Sequence, residues 1–321
     1  MIDFYKYQAA GNDYVVIDPR QTDIAVTREA IRLICDRHLG IGADGVLHGP
    51  LEAPRPGVPV VLDLYNSDGS DCGRSGNGLR MFALHLAGQE PETWADGREL
   101  TLRTGAGESS VRVLDLAGGR VAVGMGRPGF DAADLPLLQE DGTTPFEGRA
   151  VDVPLTVDGE KLTVSCVYNG NPHTVVPVDE PTAELARRLG PSIAGHARFP
   201  HRTNVQFMRM VSRSVMEIEV YERGAGYVTA SGASACAAVS VARELGLCEA
   251  RVEVRMPGGA VEIAVAEDGS VTMTGDAEQV AAGSFAPALR ARLDRTATRS
   301  SAASDAADSA NPTTAATEVV R

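Results

Sequence analysis

The sequence predicts an α+β fold with much antiparallel sheet, and three features of the chain lead to that expectation. Short β-branched or alternating apolar runs, separated by many of the 34 Gly and 18 Pro, dominate the sequence. Apolar residues at helical spacing occur in only a few stretches. The chain of 321 residues is also longer than one hydrophobic core usually organises, so we expect two domains.

The individual elements follow from the two apolar periodicities. Strand patterns cover residues 14–17, 60–65, 100–103, 111–114, 121–124, 162–168, 205–210 and 216–221. Helical patterns cover residues 27–38, 77–87, 181–189 and 233–245. From about residue 290 the chain turns into Ser, Ala, Thr and Asp with few large apolar residues, so we expect residues 289–321 to form a disordered tail.

Charge and hydropathy favour a small-molecule partner. The formal net charge of −13 repels nucleic acid phosphates and anionic lipid, and no basic patch in the sequence offsets it. The longest apolar runs are far shorter than the roughly 20 residues that a membrane-spanning helix needs. The first residues lack the pattern of a signal peptide, which predicts a cytoplasmic protein without a membrane or nucleic acid partner. A homodimer is an open alternative to a monomer.

Cysteine and lysine usage limits the choice of cofactor. The five cysteines are odd in number and scattered, which fits neither a disulfide framework nor a paired metal site. Lys6 and Lys161 are the only lysines, so a pyridoxal phosphate enzyme would have two candidates for its Schiff base. This scarcity weighs against pyridoxal chemistry, and we expect neither a metal nor a cofactor.

One short pattern occurs twice in the chain. Ser75 opens the helical pattern of residues 77–87 and Ser231 opens that of residues 233–245, each followed by small residues. Backbone N–H groups at such helix starts hold carboxylates and developing oxyanions. The pair suggests two halves related by a pseudo-twofold axis, with one serine on each face of a substrate α-carbon. The alternative is that both serines only cap their helices.

Six motifs follow one another in an order that resembles the diaminopimelate epimerase family, over nearly all of residues 1–287. They are AGNDYVVID (10–18), RHLGIGADG (37–45), YNSDGS with SGNGLR (65–70 and 75–80), NGNPH (169–173), RFP with Asn204 (198–200), and ERGAG (222–226). The resemblance implies a cofactor-independent amino-acid epimerase or racemase of lysine biosynthesis. Such an enzyme inverts an α-carbon by two-base proton transfer.

The repeat and the resemblance together define the expected architecture and site. Each domain is expected to be a strongly curved, mostly antiparallel sheet around a central helix, the first covering residues 1–118 and 276–288 and the second residues 119–275. By resemblance, the side chains that hold the substrate are Asn12, Asn66, Asn171, Asn204, Glu222 and Arg223. The backbone N–H groups offered to its reacting carboxylate are those of Gly76, Asn77, Gly232 and Ala233.

The catalytic pair departs from the family, whose two catalytic residues are cysteines. The motif spacing places Ser75 and Ser231 at those positions, and a hydroxyl must borrow a base because it is essentially un-ionised at neutral pH. Asp68 and His173 are candidate helpers, and Cys72 is a candidate displaced base. Besides an epimerase, the serines leave open a lyase or dehydratase on the same fold, an inactive amino-acid-binding paralogue and a Cys-to-Ser variant.

Overall fold

The computed structural model describes residues 2–94 and 97–309, with side chains up to residue 298. Its first eight strands are β1 (Phe4–Ala9), β2 (Asn12–Ile17), β3 (Gly45–His48), β4 (Val60–Val61), β5 (Asp63–Asn66), β6 (Glu99–Thr104), β7 (Gly107–Asp115) and β8 (Arg120–Gly126). The helices in this part are α1 (Arg28–Cys35), α2 (Gly76–Gln89) and α3 (Pro91–Trp94).

The remaining strands are β9 (Val153–Val157), β10 (Glu160–Tyr168), β11 (Pro172–Pro177), β12 (Asn204–Ser212), β13 (Val215–Glu222), β14 (Gly226–Val228), β15 (Arg251–Met256), β16 (Gly259–Val265), β17 (Val271–Asp276) and β18 (Glu278–Gly283). The helices here are α4 (Ala183–Ala194), α5 (Gly232–Glu244) and α6 (Pro287–Ser309). Every strand and helix expected from the sequence is present, which confirms the α+β class, although the pattern at residues 60–65 is divided between β4 and β5.

The strands form two sheets. A five-stranded sheet has the order β18–β1–β2–β3–β5, and a thirteen-stranded sheet has the order β4–β6–β7–β8–β17–β16–β15–β13–β12–β11–β10–β9, with β14 paired to β13. Most neighbours are antiparallel, and the parallel pairs are β2–β3, β4–β6, β11–β12 and β13–β15. The larger sheet crosses the expected domain boundary, since β8 pairs with both β7 and β17. Strand pairing therefore does not divide the chain, and the two domains stay a prediction.

Two tight turns show how local sequence sets the strand connections. Asp158 and Gly159 join β9 to β10 with φ angles of 51° and 82°, the left-handed conformation that a two-residue hairpin turn requires. Ala10 and Gly11 join β1 to β2 with φ angles of 52° and 80°. Because Ala pays a steric penalty in this region that Gly avoids, the second turn is the more strained one. It leads directly into the first residue of β2.

Helices α2 and α5 lie at the centre of the molecule. Residues 76–87 of α2 are all buried, and so are residues 234–242 of α5. Helix α2 packs against β1, β7, β8 and β18, whereas α5 packs against β10 to β13 and β15 to β17. One apolar cluster contains residues of both helices and of both sheets. The two helix starts are therefore held by a shared core.

The C-terminal segment differs from the sequence prediction. Residues 289–309 are helical within α6, so the expected disordered tail is wrong for this stretch, while residues 310–321 lie outside the described residues. Leu293 is buried, and Leu289 partly buried, in the apolar cluster that contains α1. Arg290 forms ion pairs with Asp3 and Asp23. These contacts are with distant parts of the chain, so local composition could not reveal them.

Three further observations concern residues 2–94 and 97–309. No helix in these ranges is both long enough and apolar enough to cross a membrane. No three His, Cys, Asp or Glu side chains in the same ranges form a group that could hold a metal ion. Two surface cavities of about 690 and 650 Å³ are lined by residues other than Ser75 and Ser231, so both serines lie outside them.

Candidate active site

Ser75 stands at the start of α2. Its side chain accepts a hydrogen bond of 3.1 Å from the N–H of Gly78, the third residue of the helix. The helix start is packed inside the protein, since Gly76 to Gly78 are all buried. Within the described residues, the N–H groups of Gly76 and Asn77 have no acceptor. Ser75 thus caps the helix and leaves its first two N–H groups available for a ligand.

Ser231 repeats this arrangement at the start of α5. Its side chain accepts a hydrogen bond of 3.5 Å from the Ser234 N–H, and Gly232 is buried. The N–H groups of Gly232 and Ala233 likewise have no acceptor in the part of the chain that the structure describes. Both serines therefore cap their helices, which is the role that the sequence left open. At each helix the serine side chain occupies only the N–H group of the third residue.

The two helix starts adjoin each other through Met273 of β17. A Cβ atom added to Gly76 would lie 2.4 Å from Cε of Met273, and one added to Gly232 would lie 2.7 Å from its Sδ. The Oδ1 atom of Asn77 lies 3.7 Å from that same position on Gly232. Glycine at both positions therefore lets one buried methionine pack against both helices, which brings their free N–H groups into one region.

The strands beside α2 form what we call the first trio, β2, β3 and β5. Tyr14 of β2 pairs in parallel with Gly45 of β3, and Gly45 pairs antiparallel with Asn66 of β5. Side chains paired across neighbouring strands point to the same face of a sheet. The row from Tyr14 to Asn66 therefore lies at one level of the sheet, at the end from which the chain continues to Ser75.

The strands beside α5 form the second trio, β11, β12 and β13, with the same directions. His173 pairs in parallel with Asn204, and the antiparallel pairing of Val205 with Tyr221 places Glu222 next to Asn204. The corresponding positions of the two trios are Tyr14 and His173, Gly45 and Asn204, and Asn66 and Glu222. The same number of residues separates Asn66 from Ser75 and Glu222 from Ser231. The repeat thus extends well beyond the two serine motifs.

Glu222 is the carboxyl whose acidity is affected by Ser231. The Glu222 side chain is half-buried. Burial raises the pKa of Glu222 above its ordinary value, and the interaction with the Ser231 side chain offsets part of that rise. A carboxyl therefore belongs to the surroundings of Ser231.

The Tyr14 hydroxyl lies 3.9 Å from Sγ of Cys72, near the start of α2. Burial raises the pKa of the Tyr14 phenol, although the interaction with the Ser75 side chain opposes the rise. Burial also raises the pKa of the Cys72 thiol; the bond from Tyr14 opposes this, and the charges of Asp71 and Glu222 add to it. The charge of Glu222, in the second trio, thus contributes to the raised pKa of a thiol beside the first trio.

The binding residues expected near the first trio form two separate groups. Asn12 accepts a hydrogen bond of 3.3 Å from Nδ2 of Asn77, and Oδ1 of Asn77 accepts one of 2.6 Å from the buried guanidinium of Arg80. Asn66 donates instead to Ser70 at 3.0 Å and so closes its own loop. Asn12 and Asn77 are therefore joined at the α2 start, whereas Asn66 is engaged before that start.

The expected binding residues of the second trio surround its strand ends. Oδ1 of Asn204 accepts a hydrogen bond of 3.0 Å from the backbone N–H of Arg223. The Arg223 guanidinium donates to the His201 carbonyl at 3.1 Å. Oδ1 of Asn171 is buried and has no hydrogen-bond partner among the described residues. The structure thus brings Asn204 and Arg223 together and leaves a polar atom of Asn171 unpaired.

His173 is buried and uncharged at neutral pH. Burial lowers the pKa of its imidazole to about 3, and its Nδ1 lies 3.1 Å from Nε2 of Gln206. Gln206 also donates to Ser234 of α5 at 3.0 Å. Nε2 of His173 and Oε1 of Gln206 have no partner in the described part of the chain. The expected role of His173 as a helper of the serines stays a prediction.

Asp68, the other expected helper, is exposed on the loop before α2. Its Oδ1 accepts two hydrogen bonds from Ser70, at 2.9 and 2.6 Å, and these lower the pKa of the carboxyl. Its Oδ2 lies 4.0 Å from Arg28 of α1. Over the described residues, no contact joins Asp68 to Ser75 or Ser231. The side chain stabilises its loop instead.

Three contact residues of the site were not expected from the sequence: Tyr14, Gln206 and Met273. For Tyr14 a signal was present, because Tyr14 follows Asn12 at the same spacing at which His173 follows Asn171. Gln206 and Met273 had no local signal, since strand register and helix packing bring them to the site.

Comparison with known proteins decides the family. The family model described as diaminopimelate epimerase matches residues 4–130 and 165–280. The chain belongs to the diaminopimelate epimerase family. Diaminopimelate epimerase 2 from Nostoc sp. (strain PCC 7120 / SAG 25.82 / UTEX 2576) is 39% identical over 284 residues, which cover 87% of this chain and 94% of that relative. Diaminopimelate epimerase from Ralstonia pickettii (strain 12J) is 39% identical over 285 residues, covering 88% and 96%.

Solved structures share the fold. A predicted epimerase from Pseudomonas aeruginosa superposes with a TM-score of 0.60 at 17% identity, covering 89% of this chain and 99% of its own. A hydroxyproline epimerase from Agrobacterium vitis, with bound trans-4-hydroxy-L-proline, gives 0.60 at 13% identity, covering 88% and 91%. Both confirm the mixed α+β architecture. Membership of the diaminopimelate epimerase family confirms the expected enzyme class, an isomerase acting on an amino acid.

Proposed function

We propose that this family member inverts the α-carbon of an amino acid with a polar far end, with Ser75 and Ser231 as the acid/base pair at the positions of the family's cysteines. Diaminopimelate, the substrate in the names of the relatives, is the first candidate. The observation that carries the proposal is the pair of matched helix starts around Met273, each with a serine hydroxyl and two free N–H groups.

The free N–H groups supply the electrostatic part of the reaction. Removing the α-proton places negative charge on the substrate carboxylate, and fixed N–H donors at a helix start stabilise that charge without reorganising. Gly76 and Asn77 on one side, and Gly232 and Ala233 on the other, are the donors that we assign to this carboxylate. Gly76, Asn77 and Gly232 are buried, which strengthens the interaction because little water competes for their N–H groups.

The far end of the substrate is assigned to the polar groups at the strand ends. Asn12, Asn66 and Asn171 offer amide groups, while Asn204, Glu222 and Arg223 stand side by side at the end of the second trio. A buried polar atom without a partner costs about 1–3 kcal/mol, so a ligand that pairs with Oδ1 of Asn171 recovers that free energy. This favours a substrate with both a donor and an acceptor at its far end.

The proposed function is tested by proton exchange. Purified protein in deuterated water, without added cofactor, should replace the α-proton of a diaminopimelate stereoisomer by deuterium and form the epimer. Loss of the α-proton signal is followed by proton NMR. Absence of exchange over all diaminopimelate stereoisomers and a panel of polar amino acids would refute the proposal.

A lyase or dehydratase is the second candidate, and one observation favours it. The carboxyl of Glu222 interacts with Ser231, and elimination of a β-substituent needs one base and a good leaving group. A keto acid or ammonia, formed without the epimer, would identify this activity. Calorimetric binding without any exchange would instead identify an inactive amino-acid-binding protein, in which both serines only cap their helices.

Four features of the assembled protein complete the proposal. We assign residues 1–118 with 276–288 to one domain and residues 119–275 to the other, each sheet strongly curved around α2 or α5. Two separate blocks of hydrogen-exchange protection would support that division. The cytoplasm is the proposed compartment, because all five cysteines are free and thiols stay reduced there. Analytical ultracentrifugation tests whether the chain forms a homodimer.

A further inference from the structure

The cavity of about 650 Å³ has polar walls that the proposed function leaves unused. One wall is the face of α2 that carries Arg80, Leu84 and Gly88, which follow one another at intervals of one helical turn. The other walls come from β1, from β16, from the turn between β7 and β8, and from the junction of β17 with β18. Small-molecule sites in proteins usually have volumes of about 300–1,000 Å³, and this cavity is within that range.

The guanidinium of Arg80 lines this cavity without a carboxylate partner. The residue is 1% exposed, and burial lowers the pKa of the guanidinium to about 10, so it stays charged at neutral pH. Its Nη1 donates to the backbone carbonyl of Asp276 at 3.3 Å and its Nη2 to Oδ1 of Asn77, whereas its Nε has no partner among the described residues. Buried charges in proteins are normally paired with an opposite charge. The protein thus places a buried cation at the cavity and supplies no anion to it.

The exposed part of the cavity lining carries negative charge. The Asp276 carboxylate is paired with Arg120 at 3.2 Å. Glu278 accepts a hydrogen bond of 3.1 Å from Gln8 and forms no ion pair in the part of the chain that the structure describes. These carboxylates repel a ligand that is only an anion, and Arg80 repels one that is only a cation. A molecule that carries both charges can pair with both ends of the cavity.

We propose that this cavity binds a small zwitterion, an amino acid whose carboxylate lies against Arg80 and whose ammonium group lies at Glu278. Leu84 and Leu116 also line the cavity, which favours an apolar chain between the two charged groups. The ligand carboxylate gives the buried guanidinium a charged hydrogen-bond partner, and such bonds are stronger than those between neutral groups. The cavity is therefore a second amino-acid site, separate from the helix starts at Ser75 and Ser231.

Arg80 also connects this cavity to the candidate active site. Its Nη2 donates to Asn77, whose Nδ2 donates in turn to Asn12 and whose backbone N–H we assign to the substrate carboxylate. The charge of Arg80 favours an anion at the α2 start, and a carboxylate bound in the cavity cancels part of that charge. An occupied cavity should therefore weaken substrate binding. This consequence rests on the proposed function, whereas the cavity site itself does not.

Calorimetric titration of the purified protein with three small molecules of similar chain length tests the site. They are 5-aminopentanoate, which carries both charges, pentanoate, which carries the negative one, and pentylamine, which carries the positive one. Wild type should bind one 5-aminopentanoate per chain. It should bind pentanoate about fivefold more weakly, the upper range for loss of an exposed ion pair, and pentylamine more weakly still.

Substitutions then locate the bound molecule. Glu278→Gln should make 5-aminopentanoate bind no better than pentanoate, while the matched control Glu253→Gln, which removes an exposed carboxylate paired with Arg255, should keep the preference. Arg80→Met should weaken binding of both carboxylates at least about tenfold, the contribution of a hydrogen bond to a charged group. Asn204→Ala alters the candidate active site and should bind 5-aminopentanoate as wild type does.

The contrary results are distinct. No binding of 5-aminopentanoate, or equal binding of 5-aminopentanoate and pentanoate by wild type, overturns the inference. So does binding that is lost in Asn204→Ala, because the probe then occupies the active site. If Arg80→Met does not fold, the comparison of Glu278→Gln with Glu253→Gln still decides.

The connection to the active site has its own readout. In proton-exchange assays, 5-aminopentanoate should raise KM for diaminopimelate several-fold with wild type and less with Glu278→Gln. An unchanged KM overturns the connection and leaves the cavity site in place. Absence of any exchange by wild type refutes the proposed function alone, because the titrations need no turnover.

Discussion

The two trios share a backbone plan and differ in what they place on it. Each has a parallel pair followed by an antiparallel strand, and each leads to a buried helix that begins with a capping serine. At the corresponding positions the first trio carries Tyr14 and Asn66, and the second carries His173 and Glu222. A duplicated scaffold therefore does not make the two sides of a site equal in acid strength.

The surroundings of the two trios also differ in charge. The carboxylates that are buried within the described residues are Asp3, Asp13 and Asp18, all of them in β1, β2 or their flanks. The second trio buries uncharged polar groups instead, including His173 and Gln206. The buried polar groups around the first trio therefore include charged carboxylates, whereas those of the second trio are neutral.

The largest effect is expected from the double substitution Ser75→Cys/Ser231→Cys. A thiol is a few per cent ionised at neutral pH, so it can accept a proton without a helper. The rate of inversion should rise by about 10²–10⁴-fold, the usual contribution of a positioned acid or base. Stopped-time assays of epimer formation measure it.

The two single substitutions extend the comparison. Ser75→Cys should raise inversion more than Ser231→Cys, because the strand end before Ser231 carries a carboxyl, that of Glu222, and the corresponding strand end before Ser75 carries the amide of Asn66. Equal gains from the two single substitutions would show that Ser75 and Ser231 are equally weak bases in the wild type. No gain in the double variant would show that the two serines are not the acid/base pair.

The sequence predicted the parts of this comparison that depend on local spacing. The two helix starts and their serines follow from small residues ahead of an amphipathic pattern, and α2 and α5 begin within one residue of the expected positions. The role of Tyr14 depends on strand register, and that of Met273 on packing between two helices. A short stretch of sequence specifies neither strand register nor helix packing, so the roles of these residues could be identified only from the structure.

A large loss of stability is expected from Met273→Ala. The side chain is fully buried and packs against both helix starts, so its removal should lower the free energy of unfolding by about 2–5 kcal/mol. Amide hydrogen exchange should increase at the start of α2 and of α5 together. The matched control is Met125→Ala. Met125 is among the nearest neighbours of Gly76 but not of Gly232, so its removal should loosen only α2. Loosening of a single helix by Met273→Ala would contradict the shared contact.

Asp18→Asn should destabilise the first part of the molecule by about 1–3 kcal/mol at pH 7, the cost of leaving buried partners unpaired. Burial opposes ionisation of Asp18, but contacts with His85 and Arg20 outweigh it and hold the pKa of the carboxyl well below its usual range. A lowered pKa gives stability that is present above about pH 4 and is lost as the pH falls further.

The difference between wild type and Asp18→Asn should therefore shrink at pH 3, as measured by urea unfolding at both pH values. The exposed Asp134 in the second part of the molecule provides the control, and Asp134→Asn should change stability by less than about 0.5 kcal/mol at either pH. A constant difference between pH 7 and pH 3 would mean that the charge of Asp18 does not contribute to stability.

The smallest effect is expected from exchanging the corresponding residues, Asn66→Glu with Glu222→Asn. The carboxyl then stands at the end of the first trio, the same number of residues before Ser75, so the diaminopimelate stereoisomer whose α-proton exchanges faster with wild type should become the slower one. We expect a preference of only about tenfold, or about 1.4 kcal/mol, because the Asn66 side chain bonds to Ser70 and is not already directed at Ser75. An unchanged preference in the exchanged variant would show that position in the trio does not select the face of the α-carbon.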